Sequence, residues 1–395
     1  MLLAFLLLCL PTVVFAQDLT SPKDAYLFLL ERYAAGDVEG AVRGVLRDDP
    51  RQTRDLVVFI VEDLEAQMTN LRRLSAQTSG KAPVESRRNA LRRQRLRILK
   101  LSLLLHTEAA VRGRATQGHL QLASGTAAHR LKLLKDDYVR YGPTSDGGAG
   151  PARAAAAGEE WAGVRALVRD WYLAVISHLF KARQPDLLRA FIPAALETFE
   201  DDAELLMARG SYWELEAMTA LVDRSLAREI YVSRVLTLAH QRAGWAVSDF
   251  ERALRARGDL LEARLRLGHA YALRGRQKDA ADAYAAVLKS DAPSNLRYMA
   301  HVFAGELAEQ TGDAATARQE YESALELFPS AQRPKLALSL ACFSAGDRAC
   351  ADDWLERSMS EVAPNRNDPW WTYADGQGWL AEPRLAALRE RGLRQ

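Results

Sequence analysis

Apolar side chains recur at helical spacing along most of this chain, with polar positions between them. Ala25, Tyr26, Leu29, Leu30 and Tyr33 mark one face of a helix. Gly36-Asp37 turns the chain, and Ala41, Val42, Val45 and Leu46 resume the pattern. A further helix is expected over 52–74. The small polar stretch Ser75–Ser86, with Gly80 and Pro83, reads as a loop. Helices resume near Arg87 and run to Tyr141, broken near Gly113–Gly118. Residues 142–158 are rich in Gly, Pro, Ala and Ser and are expected to form a flexible loop. The segments 160–182 and 186–199 then predict a hairpin around Gln184-Pro185, and Asp202–Met218 opens the next. β-branched runs are few, while Ala, Leu, Arg and Glu abound, so the expected fold class is all-α.

The most regular stretch is 227–364. Leu267-Gly268-x-x-Tyr271 is followed by Ala280-x-x-x-Tyr284 and Pro293. Upstream, Ala246-x-x-x-Phe250 with Ala253 repeats the second half, Phe250 lying 34 residues before Tyr284. Downstream come Gly305, Gly312, Ala317-x-x-x-Tyr321, Ala324 and Pro329. A last copy has Gly346, Ala351-x-x-x-Leu355 and Pro364. Small residues at these positions let two antiparallel helices approach closely, and the large ones fill the gaps between successive hairpins.

This pattern resembles the tetratricopeptide repeat family. Departures are Arg264, His301 and Lys335 at the family's Trp position, and Ser233-Arg234 where Leu-Gly is expected in the first unit. The resemblance implies a right-handed superhelical solenoid of antiparallel hairpins, which buries its apolar faces by stacking. It also implies a scaffold that binds a protein or peptide and is not an enzyme. By the family's register the groove side chains would be Tyr231, Val235, Leu265, His269, Val302, Glu306, Leu336 and Leu340. The Lys and Asn set with which the family's chaperone-tail receptors clamp a terminal carboxylate is absent, and the groove is mixed and apolar. The expected organisation is 18–141 as helical hairpins, 142–158 as loop, 159–226 as degenerate repeats, 227–364 as four units and 365–395 as a C-terminal cap. The first half either continues the same superhelix or forms a separate helical domain hinged at 142–158.

The ends change the picture. Residues 2–16 are almost wholly apolar, and Val14-Phe15-Ala16 offers small residues before Gln17, so residues 1–16 read as a secretory signal peptide. The alternative is an anchor, but the run contains Pro11 and falls short of the ~20 residues a spanning helix needs. The protein is therefore expected to be exported, periplasmic or extracellular. Beyond Cys9 only Cys342 and Cys350 remain, flanking the turn Ser344–Asp347. An oxidising compartment permits a disulfide between them, and two buried thiols in a packing seam are the other reading. Asp368-Pro369-Trp370-Trp371-x-Tyr373 and Trp379 suggest aromatics covering the fourth unit. A stacking platform for a sugar or peptide is the alternative.

Charge adds one feature. Residues 72–140 hold sixteen Lys or Arg against four Asp or Glu, in a chain whose net charge is only +2. Arg87, Arg88, Arg92, Arg93, Arg95, Arg97 and Lys100 are the densest part. They are either a patch for an anionic membrane or cell-wall surface or a helix face whose Arg stems cover apolar neighbours. Nucleic acid is disfavoured by export. No phosphate loop, nucleophile elbow or His-Glu-x-x-His pattern occurs. No catalytic residue, metal site or cofactor is expected.

Overall fold

The computed structural model describes residues 84–113, 115, 117–140, 151–224, 229–360 and 368–393, with Phe28, Arg32 and Ala66 before them. The expected signal segment, the hairpin over 20–47 and the helix over 52–74 lie outside these residues, single positions apart. The described part is all-α. Two compact units divide it, Met1–Trp171 with Ala387–Gln395, and Tyr172–Ala386.

In the first unit, α1 (Val84–Val111) and α2 (Gln117–Arg140) form a hairpin. Leu99, Leu103 and Ala109 of one helix and Leu120, Ala123, Ala127 and Leu134 of the other are buried. The turn between them uses Gly113 at φ 67°. α3 spans Pro151–Lys181 and contributes Val164, Leu167, Val168 and Trp171 to this unit as buried residues. Its start at Pro151 corrects the loop expected over 142–158: from 151 onward the chain is helical. Pro is well placed there, since the first helical position has no intrahelical use for an N–H. Arg389, from the C-terminal end, donates to Glu108 Oε1 from Nε at 3.0 Å and Nη2 at 2.7 Å.

The second unit is a run of hairpins. The C-terminal part of α3 turns at Ala182–Gln184 into α4 (Pro185–Thr198), with Tyr172 and Phe191 ring centroids 5.2 Å apart. α5 (Ala203–Arg224) pairs with α6 (Glu229–Ala256), α7 (Leu261–Leu273) with α8 (Gln277–Leu288), α9 (Ser294–Thr311) with α10 (Ala314–Leu327), and α11 (Gln332–Ser344) with α12 (Arg348–Met359). The close approach rests on glycine facing an aromatic ring. A Cβ added at Gly210, Gly268 or Gly305 would stand 2.6 Å from the ring of Phe250, Tyr284 or Tyr321 respectively. In the fourth hairpin Ser339 replaces the glycine, and its hydroxyl donates to the Ala351 carbonyl at 2.8 Å. Asp313 caps α10 by accepting from Thr316 N at 3.0 Å, and Asp347 caps α12 by accepting from Cys350 N at 3.0 Å.

The first hairpin corrects the expected register. Residues 229–256 are one helix, not two helices of a unit. The first partner of Phe250 is α5, through Gly210. Phe250 precedes Tyr284 by the standard 34 residues, but Gly210 precedes Gly268 by 58, so 24 extra residues sit inside this hairpin. They lengthen both helices. α5 continues fourteen residues past Gly210, whereas α7 and α9 stop five and six residues past their glycines. At 1.5 Å per residue the extension of α5 adds about 13 Å to the hairpin. Trp213 and Trp245 brace it edge to face at 4.6 Å, and Arg242 donates to the Glu216 carbonyl at 3.0 Å.

α13 (Pro369–Ala374), a 3₁₀ turn (Gly378–Leu380) and α14 (Ala381–Leu393) close the chain. Against the expected cover for the fourth unit, they meet that hairpin at the start of α11, through Gln332 and Arg333, and leave Leu336, Leu340 and Phe343 exposed.

Candidate partner-binding groove

The first helices of successive hairpins carry equivalent faces. Counting from Gly210, Gly268, Gly305 and Ser339, Met207 and Ser211 stand at the register of Leu265 and His269, of Val302 and Glu306, and of Leu336 and Leu340. Tyr231 and Val235 lie instead on the second helix of the extended hairpin, which removes them from this face. The recurring glycine–aromatic contact, with rings 34 and then 37 residues apart on the second helices, decides the assignment.

The fold is a run of tetratricopeptide-like hairpins.

No protein-family model matches the chain, and no curated protein matches it in sequence. Solved structures similar to it include PilF of Pseudomonas aeruginosa, at 14% identity over 57% of this chain and 90% of that one, with a TM-score of 0.39. A tetratricopeptide repeat protein from Parabacteroides merdae matches at 12% identity over 92% of this chain and 99% of that one, with a TM-score of 0.38. Scores this low carry no weight of their own; the repeats above rest on the internal register.

The tetratricopeptide groove is occupied by the chain itself. Residues 368–377, here called the strap, run along it from the fourth hairpin back towards the first. Asp368 sits at the start of α11. Its carboxylate accepts from the Tyr298 hydroxyl at 2.8 Å and from the amides of Gln332 at 3.0 Å and Arg333 at 3.2 Å. The first amides of a helix lack intrahelical partners and favour an anion. Trp370 follows, with the Arg333 guanidinium 4.6 Å from its ring centroid. Tyr373 then enters the cluster made by Leu265, Val302 and Phe303, its ring 5.0 Å from Phe303.

Beneath Tyr373 lies a buried ionic network. Arg266 Nη1 donates to Glu214 Oε2 at 2.9 Å, and Arg266 Nε to Glu262 Oε1 at 3.0 Å. His269 Nδ1 donates to Glu214 Oε1 at 2.6 Å, and its ring stacks on Phe303 at 4.4 Å. The Tyr373 hydroxyl also donates to Glu214. Arg266 Nη2 reaches the carbonyls of Tyr373 at 3.2 Å and Gly376 at 3.3 Å. The side chains of Glu214 and Arg266 are 0% and 1% exposed. Burial alone would raise the Glu214 carboxyl. The Arg266 charge and the donors His269 and Tyr373 outweigh it and hold that carboxyl below the usual range. Burial, reinforced by Glu214, pushes the Tyr373 hydroxyl well up, so it stays a donor.

The expected groove set therefore divides. Leu265 and Val302 are buried in the cluster that takes in Tyr373, and His269 meets the Tyr373 ring edge-on at 6.0 Å. Glu306 pairs with Arg333, whose Nε donates to it at 3.1 Å. Leu336 and Leu340 are open: Leu340 is 61% exposed and Phe343, one turn on, 59%. A cleft of about 140 Å³ is lined by His269, Tyr284, Phe303, Glu306 and Gln310 among others. Met207, Ser211, Glu214 and Arg266 escaped the sequence reading of the groove. The signal for the first two was Gly210-x-x-Trp213, which echoes Gly268-x-x-Tyr271.

The structure joins Cys342 and Cys350 in a disulfide across the turn of the fourth hairpin, Cα atoms 5.7 Å apart. The basic stretch is not one open face. Arg95 is buried, Arg92 lies 3.4 Å from Glu160, and burial lowers the Lys100 ammonium. The side chains of Arg87, Arg88, Arg93 and Arg97 lie outside the described residues. Among the described residues no helix is long and apolar enough to cross a membrane, and no group of three or more His, Cys, Asp or Glu is placed to hold a metal ion.

Proposed function

We propose that this protein is a non-catalytic scaffold that binds a polypeptide partner on its fourth hairpin, and that it works outside the cytoplasm. The observation carrying the first part is the apolar stripe Leu336, Leu340 and Phe343, spaced along one face of α11. It stands at the groove register that the strap fills in the earlier repeats. Leu355 and Met359 of α12 add to it, Met359 at 73% exposure. Leu355 occupies the register of the buried rings Tyr284 and Tyr321, so a position built for packing is left uncovered. Clustered exposed apolar side chains of this kind mark interaction sites. Work outside the cytoplasm is supported by the apolar run at residues 2–16 and by the disulfide, which reducing compartments disfavour.

Two measurements test this. Immobilised full-length protein is compared with Leu340→Asp/Phe343→Asp for capture of envelope proteins. The variant is expected to lose specific species while its far-ultraviolet circular dichroism stays the same. An unchanged capture profile would remove the fourth hairpin as the site. For location, the full chain is fused to a phosphatase active only after export. A silent fusion would refute export.

A further inference from the structure

The strap is held the way a ligand is held. Asp368 takes the free amides at the start of α11 and the Tyr298 hydroxyl. Trp370 lies under a guanidinium and Tyr373 fills an apolar socket with a carboxylate at its floor. The charged groups of the groove keep one another when the strap is removed. Without it, Glu214 keeps Arg266 and His269, and Arg266 keeps Glu262. The network loses the Tyr373 hydroxyl, two backbone carbonyls and the Gln377 amide on Glu262, and the Tyr298 hydroxyl and the Gln332 and Arg333 amides are left as donors for another carboxylate.

We infer that the strap is a built-in ligand of the groove. In its place the groove takes an extended polypeptide segment that presents an acidic side chain followed closely by aromatic rings, as Asp368, Trp370 and Tyr373 do. This goes beyond the fourth-hairpin reading and stands without it. The carboxylate is read by the α11 amides and Tyr298, the first ring by Arg333, and the second by Leu265, Val302 and Phe303. An attached strap is present at an effective concentration of about millimolar, so it excludes weaker competitors by mass action.

The test uses full-length protein and a fluorescent synthetic peptide spanning Arg366–Gly378, read by anisotropy. The wild type is expected to bind it at least about 100-fold more weakly than Asp368→Asn/Tyr373→Ser, in which the strap is weakened. In that variant, adding Tyr298→Phe should cost the peptide about tenfold in affinity, because the carboxylate loses one donor. A folded double variant that binds no peptide overturns the proposal. So does one whose binding ignores Tyr298→Phe. If the double variant does not fold, hydrogen exchange on the wild type decides. Strap amides exchanging well ahead of α7 and α9 support the proposal; exchange together with those helices makes the strap part of the core and refutes it. The probe is a peptide of this chain, so the outcome is independent of any partner of Leu340 and Phe343.

Discussion

Glu214→Ala isolates the network under the strap. The change removes the carboxylate that accepts from Arg266, His269 and Tyr373, and leaves a guanidinium 1% exposed without its main counter-charge. Breaking a buried ion pair from one side costs about 3–5 kcal/mol. Here Arg266 retains Glu262 at 3.0 Å and two carbonyls, so the lower end, about 3 kcal/mol, is expected. Removing both charges should cost less than removing one: Glu214→Leu/Arg266→Met is expected to recover more than half of the loss, since no buried charge is then orphaned. The exposed pair Arg318–Glu322, at 2.8 Å, supplies the control; Glu322→Ala should cost no more than about 0.5 kcal/mol. Urea unfolding followed by far-ultraviolet circular dichroism measures all four. A loss below about 1 kcal/mol for Glu214→Ala would mean that water reaches Arg266 in the native state, and hence that the strap is not seated. A double variant as weak as the single would refute the electrostatic account while leaving the packing account standing.

Three further outcomes are expected. Gly305→Ala should destabilise by about 1–3 kcal/mol, because the new Cβ meets the Tyr321 ring at 2.6 Å; an unchanged urea midpoint would contradict the helix contact. Reducing the disulfide should expose two thiols to alkylation and lower stability by at most about 3 kcal/mol, the loop being short; free thiols in unreduced, denatured protein would rule the bond out. Glu214 also fixes a pH dependence. Its folded pKa lies below the unfolded value of about 4.3, so its stabilisation is complete above that value and is lost as pH falls through the folded one. The stability gap between wild type and Glu214→Gln should be flat above about pH 5 and shrink below pH 4, and a gap that persists at low pH would contradict the shift.

The repeats were legible because their packing rule is local. Gly268 with Tyr284, and Gly305 with Tyr321, meet inside one hairpin of about thirty residues, and a fixed spacing records that meeting. Gly210 and Phe250 obey the same rule, but the insertion between their halves lengthens α5 to Arg224 and starts α6 at Glu229, and keeps the apolar period running. Periodicity shows that a stretch is helix. It does not show where an antiparallel partner turns back, so the sequence pattern points to a first unit at 227 where the structure begins it at 203. The strap was out of reach for a different reason. Asp368 meets Tyr298 across 70 residues and Tyr373 meets Glu214 across 159. Such pairings depend on the curvature of the finished stack, which no short motif encodes. The aromatic stretch was visible; its destination was not.

The two readings of the groove meet on α11. Asp368 is bound by Gln332 and Arg333 at the first turn of this helix, and the open stripe begins at Leu336, one turn later. A partner seated on Leu336, Leu340 and Phe343 therefore ends where the strap begins. If it is confined to α11 and α12, weakening the strap leaves its affinity unchanged. If it continues along the groove towards α9, it must displace Asp368, and Asp368→Asn raises its affinity. Linkage makes the second case reciprocal: a partner that gains from strap release must itself promote that release by the same factor. Strap protection in hydrogen exchange, measured with and without partner, then reports the same coupling from the other side.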